Sequence, residues 1–391
     1  ESVIQIKGES SKKIRLRWSE NGPILNKKTS QISDITPPNH EMAISWTVLS
    51  PEDTSISALI DLTYSKDITA ALKALEKHIA PSLNYTIIDK ENLALQLAGK
   101  LPKRNKNHNT QGRLPSLGYI EENRWLGYKS YDKNPRFINP ESGLITNTNN
   151  KVLDEFFPNH ISYDWGDSQR IERLTRLMES REVHTRESFV EAQLDTVSFP
   201  AKSLLPLIGA NLWYKRIMSS NSDLDQDVKV ALKLLADWNG EMNEHLPEPL
   251  IFYSWMRNLQ KRLIQDELGV LAHEYGNFDP IFLERVFRDI DGASVWCDIV
   301  QSISQEECDA IAERALFDAI SELKAKYKVA MTSLRWGDAH TAMHDHLTLG
   351  HIPLLNLLIN LRQSVSGGDY TLQRGLSSGN KYNPFENVHA A

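Results

Sequence analysis

The sequence has 391 residues, 40% hydrophobic and 24% charged, proportions that permit a large buried core and exclude a disordered or fibrous chain. A formal net charge of -7, with Lys and Arg dispersed rather than striped, leaves no electrostatic footprint for nucleic acid, so no nucleic-acid partner is expected. No apolar run approaches membrane-spanning length, and no membrane span is expected.

In chain order, residues 1–46 carry short alternating segments (Val3, Ile4, Ile6; then Ile14, Leu16, Trp18) divided by turns at Asn21-Gly22-Pro23 and Pro37-Pro38-Asn39, the pattern of a half-buried sheet. From 67 to 79 the apolar residues Ile68, Leu72, Leu75 and Ile79 follow helical spacing, ended by Pro81. Segments 83–88 and 93–97 then alternate as a hairpin around 89–92. The basic loop 100–112 reads as a solvated connection. Asn139-Pro140-Glu141-Ser142-Gly143 is a turn that launches a predicted strand over 144–147.

Beyond Asp167 the composition shifts, and amphipathic helices are predicted over 169–181, 186–199, 224–238, 249–268 and 305–327. Thr185 followed by Ser188 is a capped start, with Ser where Glu would complete a stronger box. At the end, 354–361 is apolar, Gly367-Gly368-Asp369 is a turn, and a strand is predicted over 370–372. Strands first, then helices, then strands suggests a layered α+β protein.

Cys297 and Cys308 are too few for a disulfide framework and show no metal spacing, so buried free thiols are expected, with a single disulfide as the alternative. Glu1 begins no signal peptide, and with no Met at the start and ENVHAA at the end the sequence is expected to be an internal piece of a longer polypeptide. His340 and His344 stand four apart and would share one face of a helix, but HTAMH lacks the Glu of a zinc hydrolase pattern, so hydrogen-bonding histidines are expected rather than a metal clamp. The chain has no GxSxG motif and no Gly-rich phosphate loop, and Trp213, Trp238, Trp255 and Trp296 lie in helical patterns as core residues.

The stretch 142–173 carries the most chemistry. Leu144 and Ile145 lead into the amides Asn147, Asn149 and Asn150, and a polar, aromatic loop then reaches a helix whose first turn holds Arg170. Asn clusters ordinarily turn the chain, because Asn tolerates left-handed backbone. An amide donor and a guanidinium brought together would also suit a site that steadies an oxyanion.

Ten segments in order carry a resemblance over nearly the whole chain: NGP (21–23), SWTVLSPEDTS (45–55), APSLNYTIID (80–89), AGKLPKR (98–104), GRLPSLG (112–118), NRWLGY (123–128), NPESGLITNTNN (139–150), SYDWGDSQRIERL (162–174), WGDAH (336–340) and GGDYTL (367–372). On these the chain resembles the penicillin acylase family of N-terminal-nucleophile amide hydrolases. The resemblance implies an α+β fold of the four-layer αββα type, present in part: a β-rich piece of the core over 1–166, an inserted helical region over 167–330, and a return to the core sheet over 331–391.

It implies cleavage of an N-acyl amide, in a β-lactam antibiotic, an N-acyl homoserine lactone or an acyl peptide, through an acyl-enzyme formed on a Ser, Cys or Thr at a new amino terminus. That residue is expected upstream of Glu1, with the fragment alone inactive. A free α-amine, with a reference pKa of about 7.7 to 8.0, can serve as base for its own side chain. By the same resemblance Asn149 matches the oxyanion-hole Asn, Arg170 an Arg that holds the reacting groups, and Leu83 and Leu62 the acyl pocket. A small subunit cut from the same precursor, a periplasmic location and no cofactor are implied. The family's calcium site transfers poorly, since its carboxylate falls near His160, and His340 and His346 match positions without a metal role. A non-catalytic binding relative is the alternative.

Overall fold

The computed structural model describes residues 1–26, 32–214, 222–377 and 389–390 and divides the chain into two units, 1–166 and 167–391, each taken by itself.

The first unit opens with paired strands β1 (Ser2–Ile4) and β2 (Lys12–Ile14), then β3 (Trp18–Ser19) and β4 (Gly22–Pro23). They are separate two-stranded ribbons, with Val3, Ile4 and Trp18 exposed, where the alternation predicts one half-buried sheet. After the short α1 (Ile32–Ile35) come α2 (Ser55–Thr63) and α3 (Ile68–Ala74). Asp67 caps α3 by accepting the Ala70 N–H at 2.8 Å, the cap chemistry Asp favours.

The predicted hairpin forms as β5 (Leu83–Ile88) and β6 (Leu93–Ala98), with Leu83 opposite Ala98 and Ile88 opposite Leu93. Asp89 makes the turn: its Oδ1 accepts the N–H groups of Glu91 (2.9 Å) and Asn92 (2.8 Å). Strands β7 (Pro102–Arg104) and β8 (Trp125–Tyr128) pair with each other, and β9 (Arg136–Ile138) joins β6, which places β6 centrally in a three-stranded sheet of order β5-β6-β9. Central position explains its composition, since Leu93 begins a run with Ala94, Leu95, Leu97 and Ala98 buried. Ile68, Leu72 and Ala94 form the core beneath α3, with Ile87 against it.

Segment 144–147 is not a strand. It makes no ladder pairing.

In the second unit, α4 (Gln169–Glu179) and α5 (Arg186–Gln193) come first. Thr185 and Ser188 form a reciprocal capping box, so the shorter Ser serves where Glu would reach. The helix predicted over 186–199 stops early, and α6 (Phe199–Tyr214) follows. Pro200 and Pro206 conceal α6 in the sequence: the first sits in the opening turn, which needs no N–H, and the second removes an interior bond that packing of Leu204, Leu205 and Ile208 offsets. Next come α7 (Asp223–Asp237), α8 (Glu248–Leu268), α9 (Pro280–Phe287) and α10 (Cys308–Tyr327).

Helix α8 is the centre of this unit. Eight consecutive residues from Pro249 to Met256 are buried, so its first half is enclosed rather than amphipathic. Trp255 Nε1 donates to the Ala312 carbonyl of α10 at 2.9 Å, and Phe252, Tyr253, Phe278 and Trp336 pack as a ring cluster.

The two cysteines are joined as a disulfide, Cys297 to Cys308, with Cα atoms 5.0 Å apart, which corrects the expectation of free thiols. Their approach is made by a turn the spacing does not reveal: Glu306 N–H donates to Asp298 Oδ1 (3.3 Å) and Ile299 N–H to Glu306 Oε2 (3.1 Å).

The unit closes with β10 (Thr341–His344), α11 (Leu355–Ile359) and β11 (Leu361–Ser364), β10 and β11 pairing antiparallel, and with β12 (Gly375–Leu376) paired to β13 (His389–Ala390). Residues 370–372 form a tight loop, not a strand, because Thr371 Oγ1 takes the Gly368 N–H at 2.9 Å and folds the segment on itself. Among the described residues no helix is long and apolar enough to cross a membrane.

Candidate active site

Asn149 lies in the first unit at the turn that follows segment 144–147. Its φ of 66° is left-handed, a conformation Asn tolerates. Its N–H donates to Asn147 Oδ1 at 2.8 Å, and its carbonyl accepts the Gly166 N–H at 3.2 Å. Thr148 N–H donates to Asn150 Oδ1 at 3.1 Å. These bonds pin the backbone on both sides of Asn149, while the residue itself is exposed. Gly166 is needed for this approach: a Cβ there would stand 2.9 Å from the Asn149 carbonyl oxygen.

Beside the turn is a cleft of about 240 Å³ lined by Leu95, Phe137, Leu144, Ile145 and Asn150, among others. It does not include Leu83, 45% exposed at the start of β5, or Leu62, half-buried on α2.

Arg170 lies in the second unit, in the first turn of α4, and is 4% exposed. Asp167 holds it twice, accepting its backbone N–H at Oδ1 (3.2 Å) and its Nε at Oδ2 (3.5 Å). Burial lowers the guanidinium pKa, as does Arg374, and Asp167 opposes both. One turn on, Arg173 grips Asp195 through Nε (3.0 Å) and Nη2 (2.5 Å), a bidentate pair. Asn149 and Arg170 thus stand in different units, each fixed by its own neighbours. Gly166 and Asp167, which hold them, are adjacent in the WGD triplet; Gly166 meets its partner across the loop and Asp167 meets its own three residues along, and neither is singled out by the sequence.

His340 and His344 do not share a helix face. His340 precedes β10 and His344 ends it. The His340 ring is buried, stacks on Trp336 at 4.6 Å, and sits between the carbonyls of Val365 (2.8 Å) and Gly375 (3.1 Å). Burial lowers its pKa, against the two carbonyls. His346 is exposed and its Nδ1 accepts the N–H groups of Thr348 and Leu349.

The sequence model of the penicillin amidase family matches residues 1–391. The chain belongs to the penicillin amidase family. It is similar to the acyl-homoserine lactone acylase QuiP of Pseudomonas syringae pv. tomato, 23% identical over 95% of this chain and 45% of that protein. It is also similar to the penicillin acylase 2 proenzyme of Pseudomonas sp. strain SE83, 23% identical over 68% of this chain and 33% of that one. The chain therefore spans less than half the length of these relatives. Among solved structures, the thermostable penicillin G acylase from Alcaligenes faecalis superposes with a TM-score of 0.63 and 18% identity, covering 86% of this chain and 61% of that one, which shows the shared fold.

The calcium implied for a penicillin amidase does not fit the residues here. His160, where the carboxylate is expected, is 7% exposed and packs between Phe157 (5.3 Å) and Tyr163 (4.3 Å). Its pKa is pushed down to about 4, first by burial and then by Arg104, Lys129 and Arg113. Calcium takes carboxylate and carbonyl oxygens, whereas His160 offers a ring nitrogen, and the charges of Arg104, Lys129 and Arg113 around it oppose a further cation. Among the described residues no group of three or more His, Cys, Asp or Glu is placed to hold a metal.

Proposed function

We propose that this chain is the part of an N-acyl amide hydrolase that supplies the oxyanion donor and its supports. Asn149 donates its side-chain amide to the developing oxyanion, and Arg170, locked by Asp167, positions the reacting groups. The attacking Ser, Cys or Thr, with its own α-amine as base, comes from sequence beyond these 391 residues, in keeping with the share of the relatives that the chain spans. The strands that complete a four-layer αββα core come from the same remainder, in keeping with the 61% of the penicillin G acylase covered.

The observation that carries this reading is the exposed Asn149 on a backbone pinned by Asn147 and Gly166, which holds the residue in one place at the surface of its unit. The substrate favoured is an N-acyl homoserine lactone, after the names of the QuiP relatives, with a β-lactam amide as the second candidate after penicillin acylase 2. Leu62 and Leu83 offer aliphatic surface for the acyl group. A small subunit from the same precursor completes the enzyme. The Cys297–Cys308 bridge supports a periplasmic location, because disulfides persist in oxidising compartments.

The test is Asn149→Ala in the protein of full relative length. Hydrolysis of an N-acyl homoserine lactone is expected to fall by about 10² to 10³ in kcat with folding intact, the cost of one lost oxyanion donor. Unchanged turnover would refute the role. Absence of hydrolysis in the wild type, with the acyl amide still bound, would favour a binding relative.

A further inference from the structure

Loop 100–112 keeps Lys103 and Lys106 exposed, as its charges predict, but Leu101 and Arg104 turn inward. Leu101 is buried, and Arg104 is half-buried with its side chain against Gly112, where a Cβ would meet its Nε at 2.6 Å. With β8 and the segment 153–161, the loop bounds a cleft of about 460 Å³ in the first unit. Lys103, Arg104, Lys129 and Lys133 line it, against the single carboxylate of Glu155.

Arg104 and Lys129 are the half-buried pair among these cations, and Glu155 is the carboxylate that favours the charge on Lys129. Among the described residues the neighbour that favours the charge on Arg104 is Tyr163, and Lys129 Nζ is tied to the Asn159 (2.5 Å) and His160 (3.2 Å) carbonyls, which fix the ammonium without cancelling it. Burial lowers the pKa of both cations; at Lys129 Glu155 opposes this and Arg104 adds to it. With one carboxylate against four cations, the cleft keeps a surplus of positive charge that an arriving anion would pair with.

The rest of the wall sets the apolar Leu101, Leu153, Pro158 and Ile161 beside Tyr128, Ser130 and Asn159. A volume of this size lies in the range of small-molecule sites, about 300 to 1,000 Å³, and far exceeds a simple inorganic ion.

We propose that this cleft binds a small organic anion, a carboxylate borne on an apolar body, with Arg104 and Lys129 receiving the charge and Leu101, Leu153 and Ile161 covering the body. The guanidinium matches a carboxylate with two parallel N–H groups, whereas the ammonium acts as a point charge. This site is independent of the amide-hydrolase reading and uses none of its residues.

Hexanoate and its neutral isostere hexanamide are the probes, titrated calorimetrically into the purified protein at low ionic strength. Hexanoate is expected to bind about tenfold or more tightly than hexanamide, the difference expected of charge-assisted hydrogen bonds, and to weaken as salt rises. Arg104→Gln and Lys129→Gln should each weaken hexanoate about tenfold. Arg104→Lys, which keeps the charge and loses the fork, covers the case in which the Gln variant does not fold, and should give an intermediate loss. Asn149→Ala should leave hexanoate binding unchanged, which separates this cleft from an acyl-product site. Equal binding of the two probes, or full binding by the Arg104 and Lys129 variants, would overturn the proposal. So would displacement of hexanoate by equimolar inorganic phosphate, because the apolar walls would then contribute nothing.

Discussion

Gly166→Ala separates a turn that merely reverses the chain from one that aims an amide. The added Cβ would lie 2.9 Å from the Asn149 carbonyl oxygen and 3.3 Å from its carbon, and ordinary contact begins at 3.4 Å, so the two backbones must part by about 0.5 Å. Both atoms struck belong to main chain, so no flexible side chain can yield instead. The Gly166 N–H to Asn149 bond, 3.2 Å long, stretches with them, at a cost of about 1 kcal/mol in stability. The larger effect falls on catalysis, since a misplacement of about 1 Å costs about 10²-fold and half of that about tenfold. On the function proposed above, kcat for N-acyl homoserine lactone hydrolysis by the protein of full relative length is expected to fall about tenfold with KM nearly unchanged. Steady-state rates, paired with urea unfolding of the same preparations, measure both quantities. Gly276→Ala is the control, because a Cβ there comes no closer than 4.0 Å to any neighbour and φ is unstrained. Wild-type rates in Gly166→Ala would refute the aiming role, as would a loss that merely tracks the unfolded fraction.

Three further outcomes follow from buried groups. Asp369 is 5% exposed and burial raises its pKa to about 6, so its contribution to stability is fullest below about 3.8 and is lost as pH rises through 6; Asp369→Asn should gain on the wild type by up to about 3 kcal/mol by pH 8, measured by urea midpoints. His160 has the opposite sign: its lowered pKa of about 4 gives stability present above 6.5 and lost as pH falls toward 4, and His160→Phe, which keeps a ring between Phe157 and Tyr163, should abolish a loss of about 2 kcal/mol at pH 5. The Cys297→Ala, Cys308→Ala double variant should lose about 3 kcal/mol, the value for a loop of this length, and thiol alkylation of the unreduced wild type should label neither cysteine.

Where local chemistry decides the structure, the sequence shows it. The Asp89 hairpin turn, the Thr185–Ser188 cap and the long helices α7, α8 and α10 are legible because each depends on residues within a few positions of one another. Helix α6 is hidden by Pro206, whose lost bond is offset by tertiary packing that no local window contains. The disulfide is hidden because two acidic side chains, not the spacing, bring its ends together. At the candidate site the Asn cluster is legible as a turn, since Asn149 does turn the chain with a left-handed backbone. The supports are not: Gly166 and Asp167 declare themselves through the atoms they meet, Asn149 across the loop and Arg170 one turn along. The charge inversion around His160 is likewise invisible until the strands bring Arg104 and Lys129 to it.

The loop closed by Cys297 and Cys308 carries Ile303 at its fully exposed tip, ahead of the helix that packs on α8. A protease that nicks the backbone there leaves two polypeptides still joined covalently, with both helices in place. The digested protein would run as one band on a non-reducing gel and as two after dithiothreitol, so integrity judged without reductant would overlook the cut.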